Sequence, residues 1–272
     1  MAKKVKKVIL KKLQPQINLP TEKTQPATRA KDYILCFYGP PGVGKTTFVD
    51  GLAQKTLFIS TDRGTRFFTA LREEIDDLDG LLAVLKALES PGAPKYDIIC
   101  LDHADDICGM VEDHVCEKLE IESLGEAGWG AGWKAYKKAI DAIVHRILRL
   151  DVGLVIICHE TIKTIRTRVI ETERVMPDLS KSAWKVIIPK CDIVGYCGFK
   201  IVKRRGEKQE IRVLETEPRE ELYCKDRTDR GKPTNRTFNL LDSKEFMNSF
   251  LIKGVTKNGE SKKKKVNKRK KR

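Results

Sequence analysis

The chain has 272 residues, enough to build a sizeable core without disulfide or metal staples, and a formal charge of +15. That charge is concentrated at the ends: residues 1–31 contribute +8 and 253–272 contribute +10, which leaves −3 for 32–252. A folded body that is basic throughout is therefore excluded. No apolar run approaches the roughly 18 residues of a membrane span, and the short apolar stretch in "MAKKVKKVILKKL" does not make a secretory leader. The expected location is cytoplasmic.

Residues 1–31 read as a basic, partly disordered leader that ends in a linker carrying Pro15, Pro20 and Pro26. The apolar segment "DYILCFY" predicts the first strand. After it comes Gly39-Pro40-Pro41-Gly42-Val43-Gly44-Lys45-Thr46, then Thr47 and a predicted helix to about Gln54. This run fits G-x-x-x-x-G-K-[ST]. Glycines let the loop turn its N–H groups inward, so the loop and the helix start together form an anion cradle. Lys45 can reach the β- and γ-phosphates, and Thr46 can put its hydroxyl on Mg²⁺. A purely structural Gly-Pro turn would leave Lys45 without a reason.

"KTLFIST" predicts the second strand. Asp62 follows it, at the edge where ligands bind in open α/β sheets. It is a candidate general base for water; its plainer reading is a turn residue before Gly64. A helix is expected over 73–89, stopped by "SPGAP". "YDIICLD" predicts a third strand buried on both faces. Its terminal Asp102 suits the magnesium of a bound triphosphate, the alternative being a helix N-cap. His103 stands where many phosphate-loop proteins carry a water-orienting Glu.

A helix over about 104–120, the glycine-rich "ESLGEAGWGAG" and an amphipathic helix over 132–150 follow. On the first of these helices Cys108 and Cys116 share a face while His114 does not, which argues against a metal site. Trp129 and Trp133 are four apart and read as helix-packing residues, with base stacking as the alternative. "GLVIICH" predicts the fourth strand. Residues 160–178 read as a polar loop bearing Lys163, Arg166, Arg168 and Arg174. A short helix near 180–188, a fifth strand in "CDIVGYCGFKIV" and closing antiparallel strands in "EIRVLETE" and "ELYCKDR" complete the body. Strands alternating with helices predict an α/β fold with a mostly parallel sheet. The eight cysteines form no C-x-x-C pair and sit mostly in apolar segments, as reduced thiols do.

The tail ends in Lys262, Lys263, Lys264, Lys265, Lys268, Arg269, Lys270, Lys271 and Arg272. Such a run cannot pack, so 253–272 is expected to be disordered. It serves either as a solubilising tail or as an arm that displaces counterions from nucleic acid.

The order of these features is a phosphate loop, then a carboxylate after strand two and an Asp ending strand three. A polar end to strand four, a basic loop and a late basic pair follow. This order resembles the RecA-like ATPases, and more closely the short phage-type AAA/RecA-like proteins of the Sak-type single-strand annealing group. The likeness covers about 32–240. It implies a RecA-like P-loop NTPase core over 32–252, with ATP and Mg²⁺ as ligands and ATP hydrolysis as the activity. Asp62 would match the family's catalytic Glu, one methylene shorter. Asp102 would match the metal carboxylate, and His159 with Glu160 the γ-phosphate sensor. Residues 160–178 would be the mobile DNA loop, and 125–133 would lie where a second DNA loop meets its helix. Lys225 and Arg227 would reach a neighbouring subunit's nucleotide. The implied partners are single-stranded DNA, further copies of the chain, and a single-strand-binding or other replication protein.

Competing readings are a non-catalytic nucleotide switch for a protein partner, a AAA+ remodeller and a small-molecule kinase. Asp102-His103 in place of Asp-Glu, and the lack of a helical lid after the core, weigh against the remodeller. The kinase needs a substrate lid, for which only 160–178 is available.

Overall fold

The computed structural model describes residues 19, 21–23, 27, 29–62, 64–166, 171–204, 206–228 and 237–251. Most of the basic leader, Arg168 and the whole of the Lys/Arg tail lie outside these residues. The strands are β1 (Ile34–Tyr38), β2 (Thr56–Ser60), β3 (Leu71–Glu74), β4 (Ile98–Asp102) and β5 (Gly153–Cys158). They continue with β6 (Glu160–Arg166), β7 (Glu171–Pro177), β8 (Ile193–Arg204), β9 (Glu207–Glu215), β10 (Lys225–Asp226) and β11 (Thr237–Asn239). The helices are α1 (Lys45–Asp50), α2 (Leu78–Leu88), α3 (Ala104–Leu119), α4 (Ala131–Leu148), α5 (Lys181–Lys190) and α6 (Ser243–Leu251).

Among the described residues the main sheet runs β11-β9-β8-β1-β5-β4-β2-β3, with β10 also paired to β8. From β8 to β3 every neighbouring pair is parallel, while β9, β10 and β11 join antiparallel. This is the expected α/β architecture of a P-loop NTPase core. Strands β2, β4 and β5 are buried along their whole length. Alternate side chains serve two cores, because successive Cβ atoms point to opposite faces. Cys36, Ile59, Leu101 and Ile156 pack against α2–α5. Leu35, Phe37, Phe58 and Val155 pack against α1 and α6. The shared register brings the carboxyl ends of β1, β2, β4 and β5 to one edge, with Tyr38 beside Cys158 and Ser60 beside Asp102.

Several expectations are corrected. The helix expected from 73 begins at Leu78, and a fully exposed edge strand, β3, precedes it. Asp77 sets that start by accepting a hydrogen bond from Gly80 N at 2.7 Å. Helix α1 stops at Asp50 rather than Gln54. Ser243 Oγ donates to Gly51 O at 2.8 Å, and a Cβ on Gly51 would stand 2.2 Å from that hydroxyl, so the start of α6 occupies the space there. Within 160–178, Glu160–Arg166 and Glu171–Pro177 pair as the antiparallel strands β6 and β7 rather than forming an irregular loop. Ala30–Asp32, where the leader meets the body, form a 3-10 turn packed on the start of β5, and Lys31 pairs with Asp151 at 2.6 Å. No helix among the described residues is long and apolar enough to cross a membrane.

Candidate nucleotide-binding site

The 39–46 loop joins the carboxyl end of β1 to α1. Gly39, Gly42 and Gly44 all take positive φ, at 153°, 71° and 107°, a region that L side chains avoid. Gly39 is the most constrained, since a Cβ there would stand 2.0 Å from Cys197 O on β8. Gly39→Ala is therefore expected to destabilise the fold by about 2 kcal/mol or more, from backbone strain and displacement of β8. Chemical denaturation of the pure variant measures this; an unchanged midpoint would contradict the close approach. Pro40 and Pro41 follow Gly39 at the loop's outer turn, Val43 is buried in the α1-side core, and Thr47 is exposed on the first turn of α1.

Lys45 is 4% exposed. Its Nζ donates to Gly39 O at 2.8 Å and Pro40 O at 3.0 Å, folding the side chain back across its own loop. Burial lowers its pKa, opposed by the nearby Cys197 and Asp102. The Thr46 hydroxyl donates to Asp102 Oδ2 at 2.9 Å across 56 residues of sequence. Asp102 is 1% exposed, and its other oxygen has no hydrogen-bond partner among the described residues. Burial raises the Asp102 pKa, against the pull of His103 and the Thr46 hydroxyl. A buried carboxylate bonded to a hydroxyl at the phosphate loop is a hard-oxygen donor set that suits Mg²⁺.

Around this pair stands an arrangement that the sequence did not reveal. His103 Nε2 lies 3.3 Å from Asp102 Oδ1, and its ring stacks on His159 with centroids 4.1 Å apart. His159 Nδ1 meets Asp105 Oδ2 at 2.6 Å, and His159 N donates to Asp105 Oδ1 at 3.2 Å. Thr61 Oγ1 donates to Asp106 Oδ2 and accepts from His103 N. The end of β5 is thus tied to Asp102 through two imidazoles in contact and the first turn of α3. The available signal was two acidic residues, Asp105 and Asp106, just after Asp102.

Asp62 lies beside this group, with Oδ2 4.0 Å from His103 Nδ1 and its side chain 46% exposed. Its Oδ1 accepts from Gly64 N and Ser60 Oγ, so it also fills the plainer turn role. Glu160 opens β6 with Oε2 buried and lacking a hydrogen-bond partner among the described residues. Facing it is Tyr196, whose phenol is pushed up to about 12 by burial and then by Glu160.

The remaining predicted residues fall elsewhere. Lys163 Nζ donates to Leu179 O, Arg166 pairs with Glu171 across the hairpin, and Arg174 donates to Glu220 O. Lys225 and Arg227 sit at the amino edge of β8, opposite the cradle. Lys225 Nζ donates to Ile188 O, Pro189 O and Cys191 O, closing the end of α5. Arg227 donates to Pro189 O and pairs with Asp192. Trp129 is fully exposed in a left-handed conformation, φ 58°, and Trp133 is 41% exposed; the helix-packing expectation for Trp129 is therefore wrong.

The family model described as AAA domain matches residues 31–228. None of the curated proteins matches the chain. The match spans well over half of the chain and takes in the phosphate loop, its paired carboxylate and all the parallel strands. The chain belongs to the AAA domain family of P-loop NTPases, a family of nucleotide-binding proteins.

Proposed function

We propose that this protein binds Mg·ATP in the 39–46 cradle, hydrolyses it, and couples that cycle to single-stranded DNA in phage-type annealing, recombination or replication. The observation that carries the nucleotide half is the Thr46–Asp102 hydrogen bond beside buried Lys45. Thr46 and Asp102 would hold the magnesium, which when bound neutralises charge on the transferring phosphoryl group. Lys45 turns from the carbonyls of its own loop to the phosphates. Asp62, with one carboxylate oxygen free of the turn, takes the proton of the attacking water. His159 and Glu160 stand at the start of the β6–β7 hairpin, so contact with a γ-phosphate would be felt directly by that hairpin.

Two features support the DNA half. The tail holds nine basic side chains in its last eleven residues, which suits phosphate backbones. Trp129 and Trp133 offer exposed rings, and Lys134, Lys137 and Lys138 are exposed on the helix that follows. This helix start lies toward the carboxyl edge. Tyr136 meets Ser180 at 3.2 Å, and Asp178 N bonds His159 O at the end of β5. Arg146 at the far end of α4 pairs instead with Glu89, after α2.

The deciding experiment is ATP turnover with and without single-stranded DNA at several salt concentrations. Turnover stimulated by DNA, more strongly at low salt, is expected. Turnover indifferent to DNA would remove the DNA half, and tight ATP binding without turnover would identify a nucleotide switch. Trp129→Ala is expected to weaken single-strand binding by about 1–3 kcal/mol, the usual worth of a base–aromatic stack. ATP affinity should not change. Fluorescence anisotropy with a labelled oligonucleotide measures this, and unchanged affinity would return Trp129 to an ordinary surface residue.

A further inference from the structure

Strands β8 and β9 do not stop with the sheet. β1 pairs with β8 only from Leu35–Ile193 to Tyr38–Tyr196, while β8 and β9 stay paired from Tyr196–Glu215 to Arg204–Glu207. The hairpin therefore projects past the carboxyl edge on the side of the cradle away from Asp102. It touches the cradle twice: the Cys197 carbonyl lies against Gly39, and the Arg212 guanidinium lies over Gly44, with Nη1 3.5 Å from where a Cβ would be.

Arg212 is exposed and has no ion pair or side-chain hydrogen bond among the described residues. Its guanidinium makes no ion pair with Glu210, two positions away on the same strand, and reaches toward the phosphate loop. Phe199 is its direct cross-strand partner, so the ring and the guanidinium share one face. That face is the one on which Cys197 and Leu214 pack into the α1-side core, continued beyond the sheet edge. Phe199 is 48% exposed and belongs to neither core cluster of the described residues.

From this juxtaposition we propose that the β8–β9 hairpin is the second wall of the nucleotide site. Arg212 is a phosphate-binding residue supplied by the same chain, and Phe199 is a face for the nucleotide's base. The proposal rests on the cradle at 39–46 being the phosphate site. It adds that a nucleotide seated there runs outward along β8–β9, away from the metal carboxylate. A guanidinium forks onto phosphate oxygens as an ammonium cannot, so Arg212→Lys should restore only part of what Arg212→Ala loses.

The test is calorimetric titration of the full chain with ATP and with inorganic tripolyphosphate, which has the charge but no base. Arg212→Ala is expected to lose roughly tenfold or more in affinity for both, from one charge-assisted contact. Phe199→Ala is expected to lose roughly tenfold for ATP and nothing for tripolyphosphate. Lys45→Ala is the control for the cradle itself. If Lys45→Ala loses ATP while Arg212→Ala and Phe199→Ala bind it normally, the hairpin wall is wrong and the cradle stands. If Lys45→Ala also binds normally, the cradle is wrong and the hairpin wall falls with it. Thermal unfolding without ligand shows that each variant is folded, which is expected for two exposed positions.

Discussion

Lys45→Ala is expected to lose about 3 kcal/mol of nucleotide binding, roughly a hundredfold, while the protein stays folded. The ammonium is buried and, among the described residues, bonds to two carbonyls of its own loop. It carries a desolvation cost that lowers its pKa, and that cost is recovered when phosphate oxygens replace the carbonyls. Removing it takes away the recovered part and leaves the strand core untouched. The pH dependence has a definite sign. A lowered folded-state pKa makes Lys45 deprotonate below the range of a free lysine, so nucleotide affinity should fall early on the alkaline side. In the same window the unfolded chain binds more protons than the native one, so stability rises with pH; Lys45→Ala should lack that increment. Titration of a fluorescent ATP analogue against pH, paired with denaturant curves, reads both. Normal affinity in the variant would contradict the cradle.

The second large effect is expected from Asp102→Asn. The amide oxygen still accepts from the Thr46 hydroxyl, so the local hydrogen bond survives while the charge that faces a metal is gone. Turnover should drop at least a hundredfold, about 3 kcal/mol of transition-state stabilisation. Nucleotide binding measured without magnesium should be unchanged, and the gain normally produced by adding magnesium should vanish. The sign for stability is opposite to that of an ordinary surface carboxylate. The Asp102 pKa is raised by burial, so between the unfolded and folded values the native state holds more protons and stability falls as pH rises. Asp102→Asn removes that slope and should be more stable than the wild type near neutrality. A variant with full magnesium-dependent turnover would contradict the metal role.

Much of this was legible in the residues because the chemistry is local there. β1, β2, β4 and β5 are continuous apolar segments buried on both faces, so their positions and their two-sided core could be read directly. The cradle needs glycines at fixed spacing, and Gly39, Gly42 and Gly44 all use the conformations that glycine permits. What could not be read depends on tertiary partners. β3 carries Leu71 and three charged residues on a fully exposed edge, and its only signal is pairing with β2. The β6–β7 hairpin hides its Thr and Ile alternation behind charges that meet their partners across strands or at Glu220. Helix α6 docks through Phe246 on Phe37, Phe48 and Phe238, a packing no motif announces. Lys225 and Arg227 looked like a basic pair aimed at another nucleotide, but the carbonyls ending α5 and the Asp192 carboxylate hold them. His159 was expected at a strand end; that its ring would lie against His103 and bond Asp105 required the fold.

The central claim is that a triphosphate sits in the loop at 39–46 with its metal between Thr46 and Asp102. A crystal structure of the full chain grown with magnesium and a non-hydrolysable ATP analogue tests it most directly. The account predicts phosphate oxygens on the amides of Gly42–Thr46, Lys45 swung off its own carbonyls, and magnesium bound to the Thr46 hydroxyl on the Asp102 side. Nucleotide bound at another face, with Lys45 still folded onto Gly39 and Pro40, would contradict it.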